Sequence, residues 1–431
     1  MLLARLFAIL VVLHTTRLGA QGQEERVLEL VHQAVACARG DASSDPGYKA
    51  LMLADAAPYL MQLGEGQIAR DLLQESHQLA IRSAEGYRDY ALCEVAIRQA
   101  QAGLVEEALA TQKLISKEFK MCSPLYHEEC LSGIALRVAE RSDFSRAISI
   151  CREIENGDWH GTVLAKLASV AQAQGLNELR NDLVNQAVAS LDSHAGMDDK
   201  PLRLQFIVEH LAFGGLKHHA SELTKAAASK ADSEYEWICL IRMEAACGNV
   251  EGVQGANAEL VSAYGFPVDD SLFIACLVQA QAMEGWLEEA LLTARKLAGA
   301  RDYPLAIRQI AAAMVQAGRL DEALRTSNSI PPEDRSFGNY GQTWLDVAGA
   351  AYRNGDRDKS LELLGQAQAF VDAEGFSSWH RNYFGVAQAY GEFEQESVAE
   401  RWAHALVSPA EKYAVLMGLA SGIQLRSTAK Q

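Results

Sequence analysis

Three segments of this chain, QAQAGLVEEAL around Gly103, QAMEGWLEEAL around Gly285 and MVQAGRLDEAL around Gly318, spell one pattern. A sequence that returns to the same pattern at a spacing of tens of residues folds as copies of one small element stacked on each other, because no single copy can bury its own apolar face. With that glycine as anchor, the register runs through Gly64, Gly103, Ser142, Gly175, Gly215, Gly248, Gly285, Gly318, Gly355 and Glu394, in steps of 33 to 40 residues. Other columns keep the same register. Eight residues before the anchor stand Ala56, Val95, Ile134, Leu167, Ile207, Leu240, Leu277, Ile310, Val347 and Val386. Seven before it the residue is small or β-branched, and alanine in seven copies.

Apolar positions at −11, −8, −7 and −4 form one face of a helix at a period of 3.6. Glycine at the anchor ends that helix, since it enters the left-handed conformation without steric penalty. A second helix opens directly afterwards with acids in its first turn, such as Glu106 and Glu107 or Asp321 and Glu322, where carboxylates suit the positive end of the helix dipole. Five residues past the anchor, Ala69, Ala108, Ala147, Ala220, Ala290, Ala323 and Ala399 allow the two helices to cross closely. Prolines fall in the joints at Pro46, Pro124, Pro201, Pro267 and Pro304; Pro58 sits inside the first hairpin, where a kink is expected.

These columns resemble the tetratricopeptide repeat: a bulky residue, an apolar one, a small one, a turn glycine seven later and an alanine five after that. The resemblance covers about residues 44–408, with two departures. Six of the nine steps exceed the family's 34 residues, and its closing proline occurs in only some copies. The resemblance implies an all-α fold, a right-handed α-α superhelix of about ten hairpins with a concave groove that holds peptides or proteins. The chain divides accordingly into an export signal (1–20), an N-terminal helix and linker (21–43), the repeat array (44–408) and a capping helix with a tail (409–431). Regular copies and a cap favour an open array.

The first residues, MLLARLFAILVVLHTTRLGAQGQEE, carry a positive Arg5, an apolar run Leu6–Leu13 and small residues up to Ala20, the pattern of a cleaved secretory signal. Cleavage after Ala20 removes Arg5 and Arg17 and takes the net charge from −17 to −19. The protein is therefore expected in the periplasm or outside the cell, with no integral membrane span after cleavage. Its acidic surface repels phosphate backbones, so no nucleic-acid partner is expected. An exported chain can keep disulfides. Of the eight cysteines, Cys130 and Cys151 lie on the two helices of one hairpin and are the best-placed pair; the alternative is that most are small buried hydrophobes. No CxxC occurs.

Chemistry-bearing patterns are sparse. His210, His218, His219 and Glu222 could bring two imidazoles and a carboxylate together, but a solvated helix start with ordinary polar residues is the better reading. His127-Glu128-Glu129-Cys130 lacks the second histidine of a zinc-protease helix. Asp198-Asp199 and Asp269-Asp270 suit helix caps better than acid/base pairs. Trp159-His160 and Trp379-His380 suit packing at hairpin edges. There is no nucleophile elbow, phosphate loop or dinucleotide fingerprint, and no cofactor is expected. The more informative residues are polar ones on the helix faces turned away from the packing columns. Glu209, Arg242 and Gln279 share the −6 offset in consecutive copies, Arg308 lies at −10 and Arg353 at −2. Stacked, they form a polar stripe for a partner, or a ladder of solvated ion pairs worth about 0–1 kcal/mol each. Neither Lys nor Asn stands at −10 or −6, so the family's carboxylate clamp is absent.

The sequence thus points to an exported, non-enzymatic scaffold that binds an unidentified protein or peptide in its groove. The alternatives are an α/α-toroid enzyme acting on glycans and an envelope-associated structural protein; an RNA-binding helical repeat is opposed by charge and export. Nothing in the sequence fixes the oligomeric state.

Overall fold

The computed structural model describes residues 22–41, 45–116, 126–155, 157–193, 200–265, 270–374 and 381–429. The export segment 1–20, Cys122, Pro124, Asp198-Asp199, Pro267, Asp269 and Trp379-His380 lie outside the described residues. Within them the chain is all helix and turn, with no strand. The order is α1 (22–40), α2 (Pro46–Gln62), α3 (Gly66–Ile81), α4 (Glu85–Gln101), α5 (Val105–Gln112), α6 (Tyr126–Glu140), α7 (Phe144–Cys151), α8 (Gly157–Ala173), α9 (Asn177–Ser193), α10 (Lys200–Phe213) and α11 (Lys217–Ala228). It continues with α12 (Glu234–Cys247), α13 (Val250–Tyr264), α14 (Asp270–Met283), α15 (Leu287–Ala294), α16 (Tyr303–Gln316), α17 (Leu320–Ser327), α18 (Gln342–Arg353), α19 (Arg357–Glu374), α20 (Arg381–Glu392), α21 (Glu396–Ala405) and α22 (Pro409–Ala429). α2 runs on past Pro58.

Each anchor residue joins the two helices of one copy, and all ten adopt positive φ, between 62° and 86°. The turn closes the same way throughout. The anchor amide donates to the carbonyl three residues back and the next amide to the carbonyl five back, as in Gly103 to Ala100 (2.9 Å) and Leu104 to Gln99 (2.8 Å). This satisfies carbonyls that the helix end would otherwise leave unpaired. Ser142 (φ 68°) and Glu394 (φ 62°) hold the same conformation with a side chain, and among the described residues they alone do so without being glycine. The left-handed region costs an L-residue roughly 1–2 kcal/mol. Ser142→Gly and Glu394→Gly are therefore each expected to stabilise the protein by up to about 1 kcal/mol, less what is lost with the exposed Ser142–Gln174 hydrogen bond (3.0 Å) and the Arg357–Glu394 pair (3.5 Å) respectively. Denaturant midpoints of the two variants check this.

The columns at −8 and −7 are buried in all ten copies, and every +5 alanine is fully buried. Small side chains at the crossing bring the helix axes close enough for the larger column to fill the space between neighbours. The expected Cys130–Cys151 bridge is not formed. Cys151 is a free buried thiol whose Sγ faces the His160 carbonyl at 3.8 Å, so the pair serves packing.

The chain forms two compact units, residues 116–347 and residues 1–115 with 348–431; the boundary falls within α18. In the first, the leading helices α6, α8, α10, α12, α14 and α16 pack side by side as one wall, with α7, α9, α11, α13, α15 and α17 behind it. In the second, α2 packs on α3 and α4, α4 on α5, and α20 on α21.

The ends of the chain meet inside this second unit. α22 packs on α20 and α21 and also reaches α2, while Tyr413 donates to the Met52 carbonyl and Gln424 bonds Gln62 at 2.6 Å. α1 bonds α3 through Arg39–Glu75 (2.7 Å) and α21 through Arg26–Glu400. It also runs antiparallel to α22. Ser427 near the end of α22 bonds Gln23 at the start of α1 (2.6 Å), and Lys412 near the start of α22 acts on the Cys37 thiol near the end of α1. The two termini thus supply one further hairpin-like pair. α22, expected only to cover the last hairpin, also meets the first, because Tyr413 and its apolar neighbours need a surface on both sides.

Candidate functional site

The terminal pairing encloses a cavity of about 230 Å³ in the second unit, lined by residues of α2, α4, α20 and α22. Its polar centre is Arg98. Nε donates to Asp55 Oδ1 at 2.5 Å, Nη1 donates to Gln101 at 3.2 Å, and Glu94 stands 3.8 Å from Nη2. The Asp55 carboxylate pushes the Arg98 pKa up, and burial of the guanidinium works against it without prevailing. Tyr59, Tyr90, Phe384 and Tyr413 supply aromatic lining, and Leu51, Ala414 and Met417 apolar lining. Tyr413 is buried, so its phenol is held well above its usual pKa, first by desolvation and then by the negative charge of Asp55. Burial likewise raises Tyr59, whose hydroxyl is paired with Ser421 of α22. A charged, hydrogen-bonded cluster under aromatic walls can hold a small polar group firmly; it offers no nucleophile paired with a base.

These residues stand at −13, −9 and −5 from their anchors: Leu51 and Tyr90, Asp55 and Glu94, Tyr59 and Arg98. The polar-stripe columns at −10 and −6 are the adjacent ones. Asp55 and Glu94 in successive copies at −9 were the available signal, and Asp346 occupies the same offset.

The stripe residues fall in both units. Glu209, Arg242, Gln279 and Arg308 belong to residues 116–347, and Arg353 to the other unit, where it is exposed. Arg308 pairs with Asp346 at 2.7 Å. Glu209 accepts from Gln205 at 2.8 Å; burial raises its pKa, and the positive charge of Arg242 opposes the shift. The same two charges act on Cys276, whose thiol burial lifts to about 11. Gln279 is half-buried. The His218 and His219 rings meet edge to face and Glu222 pairs with Lys225 at 3.1 Å, so the three do not converge on a metal. No group of three or more His, Cys, Asp or Glu side chains among the described residues could hold a metal ion.

His210 on α10 faces Lys166 of α8. Burial, with the Lys166 charge adding to it, lowers the imidazole pKa to about 4. The folded protein therefore takes up this proton only near pH 4, while the unfolded chain does so near 6.5, so the unfolded state binds more protons in between. The contribution is complete above pH 6.5 and is lost as pH falls to 4. It amounts to about 1–2 kcal/mol after discounting for part exposure. Urea midpoints at pH 7 and pH 4.5 should differ by less in His210→Asn than in the wild type.

No family model matches this sequence, and no curated protein matches it. Among solved structures the chain is similar to a circular tandem repeat protein with novel repeat topology and enhanced subunit contact surfaces. That match has 12% identity and spans 96% of this chain and 100% of the other, but its TM-score of 0.15 is too low to bear on the fold. The architecture drawn from the structure itself is that of an all-α repeat protein with hairpin contacts between adjacent helices. No helix among the described residues is long and apolar enough to cross a membrane.

Proposed function

We propose that this protein is an exported, non-enzymatic interaction scaffold of tetratricopeptide-like repeats, wound right-handed, which holds a protein or peptide on the wall formed by its leading helices. The observation that carries the reading is the Arg98 cavity, a concave site on those helices with fixed charges and aromatic walls. The Glu209, Arg242, Gln279, Arg308 and Arg353 positions provide further polar contacts on the leading helices of other copies. The test is capture from envelope and culture-fluid extract on immobilised residues 21–431, beside columns carrying Glu94→Gln and the pair Arg242→Glu with Arg308→Glu. A specific protein retained by the wild type and lost from a folded variant supports the scaffold; identical retention on all three columns, or none, contradicts it.

A second reading, a glycan-acting enzyme, draws on one observation. Asp372 and Glu411 border an open cavity of about 640 Å³, and burial raises the pKa of both, as a general acid requires. Asp372 accepts from Trp402 Nε1 at 3.0 Å and Glu411 is hydrogen-bonded by Tyr383. Release of reducing sugar from envelope glycan, abolished by Glu411→Gln, would favour this reading over the scaffold.

A further inference from the structure

We infer that the cavity between α2, α4, α20 and α22 is a cation site that takes the ammonium end of a lysine side chain from the partner; this rests on the scaffold reading. Charge comes first. Two carboxylates, Asp55 and Glu94, share one guanidinium, so the cluster carries one net negative charge. Tyr48, Tyr59 and Tyr413 each feel Asp55 as an anion, and Tyr48 is lifted to about 12, chiefly by burial. An added cation is favoured by such a cluster, and an added anion is repelled.

The walls agree. Tyr59, Tyr90, Phe384 and Tyr413 place ring surface around the charged centre, and a cation at a ring face gains about 0.5–2 kcal/mol, more as water is excluded. Leu51, Ala414 and Met417 add apolar atoms to the lining that suit a methylene stem. Size sets the rest. About 230 Å³ is below the range of drug-sized pockets, too small for a folded segment but roomy enough for a butylammonium chain. The net charge of −17 draws cations toward the protein at long range. Because α22 supplies one wall, the site exists only while the chain ends are paired.

Butylammonium is the probe, titrated into residues 21–431 and followed by saturation-transfer NMR, with 1-butanol and butyrate in parallel. Saturable binding of butylammonium is expected, at least tenfold stronger than that of either analogue. It should weaken about tenfold in Glu94→Gln and several-fold in Tyr90→Leu, with Glu251→Gln, an exposed carboxylate on α13, unchanged and circular dichroism confirming that each variant is folded. Equal binding of 1-butanol would make the cavity a plain apolar hole, preferred binding of butyrate would make Arg98 an anion receptor, and no binding to folded protein would leave no site; each overturns the inference. A second arm adds Nα-acetyl-lysine methylamide to the captured partner. Elution supports a lysine side chain as the occupant. Butylammonium binding without elution assigns the cavity to a free amine and overturns that source, leaving the scaffold intact. Loss of partner capture with butylammonium binding retained would strike the scaffold alone.

Discussion

Gly422→Ala is expected to destabilise the protein by about 3 kcal/mol or more, and to release α22 to proteases well before the remaining hairpins unfold. A Cβ at Gly422 would lie 2.0 Å from the Gln388 carbonyl oxygen and 2.8 Å from the Glu392 nitrogen, both backbone atoms of α20 that no rotamer change can move. Gly418 is equally committed, its Cβ falling 2.3 Å from the Phe384 oxygen, and Gly391 faces the Leu419 oxygen at 2.7 Å. Three glycines thus let α20 and α22 touch backbone to backbone. A methyl group at one of them forces the helices apart by an ångström or more and opens gaps along the whole contact, adding cavity costs to the overlap. Anchor glycines such as Gly318 respond differently. No atom lies within 4 Å of a Cβ built there, so Gly318→Ala pays only the backbone term of roughly 1–2 kcal/mol. Thermal unfolding of the two variants, with trypsin cleavage near Arg426 timed separately, distinguishes the mechanisms.

Removal of residues 409–431 should have the second large effect. It strips Tyr413, Val415, Leu416, Met417, Leu419 and Ile423 from the unit, all buried, and at about 1.5–3 kcal/mol for each large side chain the loss exceeds what a domain can spare. α1 loses Gln23–Ser427, the Met52 carbonyl loses Tyr413, and the Arg98 cavity loses a wall. The truncated chain is expected to aggregate or to show rapid amide exchange in α1, α2 and α20, while residues 126–347 keep their protection. A peptide of residues 407–431 added in trans should restore protection in those three helices. Exchange measured by mass spectrometry, with and without the peptide, checks each part.

Much of this fold is legible in the sequence because its repeating elements are local. The anchor, the −8 and −7 columns and the +5 alanines each depend on one hairpin and its neighbour, so they recur, and recurrence reveals them. Even Ser142 and Glu394, which break the glycine rule, fall where the register places them and take the left-handed turn. What recurrence does not carry is a feature that occurs once. The pairing of α1 with α22 has no second copy, and the glycines at 418 and 422 that seat α22 on α20 look like helix-weakening noise until α20 is seen against them. The Arg98 cavity is hidden for the same reason. Asp55, Glu94 and Arg98 are columns of the first two copies, but Phe384, Tyr413 and Met417 come from the far end of the chain. The −10 and −6 columns of the polar stripe lie one residue away, about 100° around the helix.

The pairing of the chain ends underlies both the fold of this unit and the site proposed in it, and native residues allow a direct test. The Cys37 thiol on α1 lies within electrostatic reach of the Lys412 ammonium on α22, 375 positions along the chain. A short amine-to-thiol cross-linker applied to dilute residues 21–431, followed by digestion and mass spectrometry, should yield the Cys37–Lys412 peptide within single chains. Recovery of that peptide is the predicted result. Cys37 joined only to lysines near it in sequence, such as Lys49, with Lys412 unlinked, would contradict the pairing and the cavity it completes.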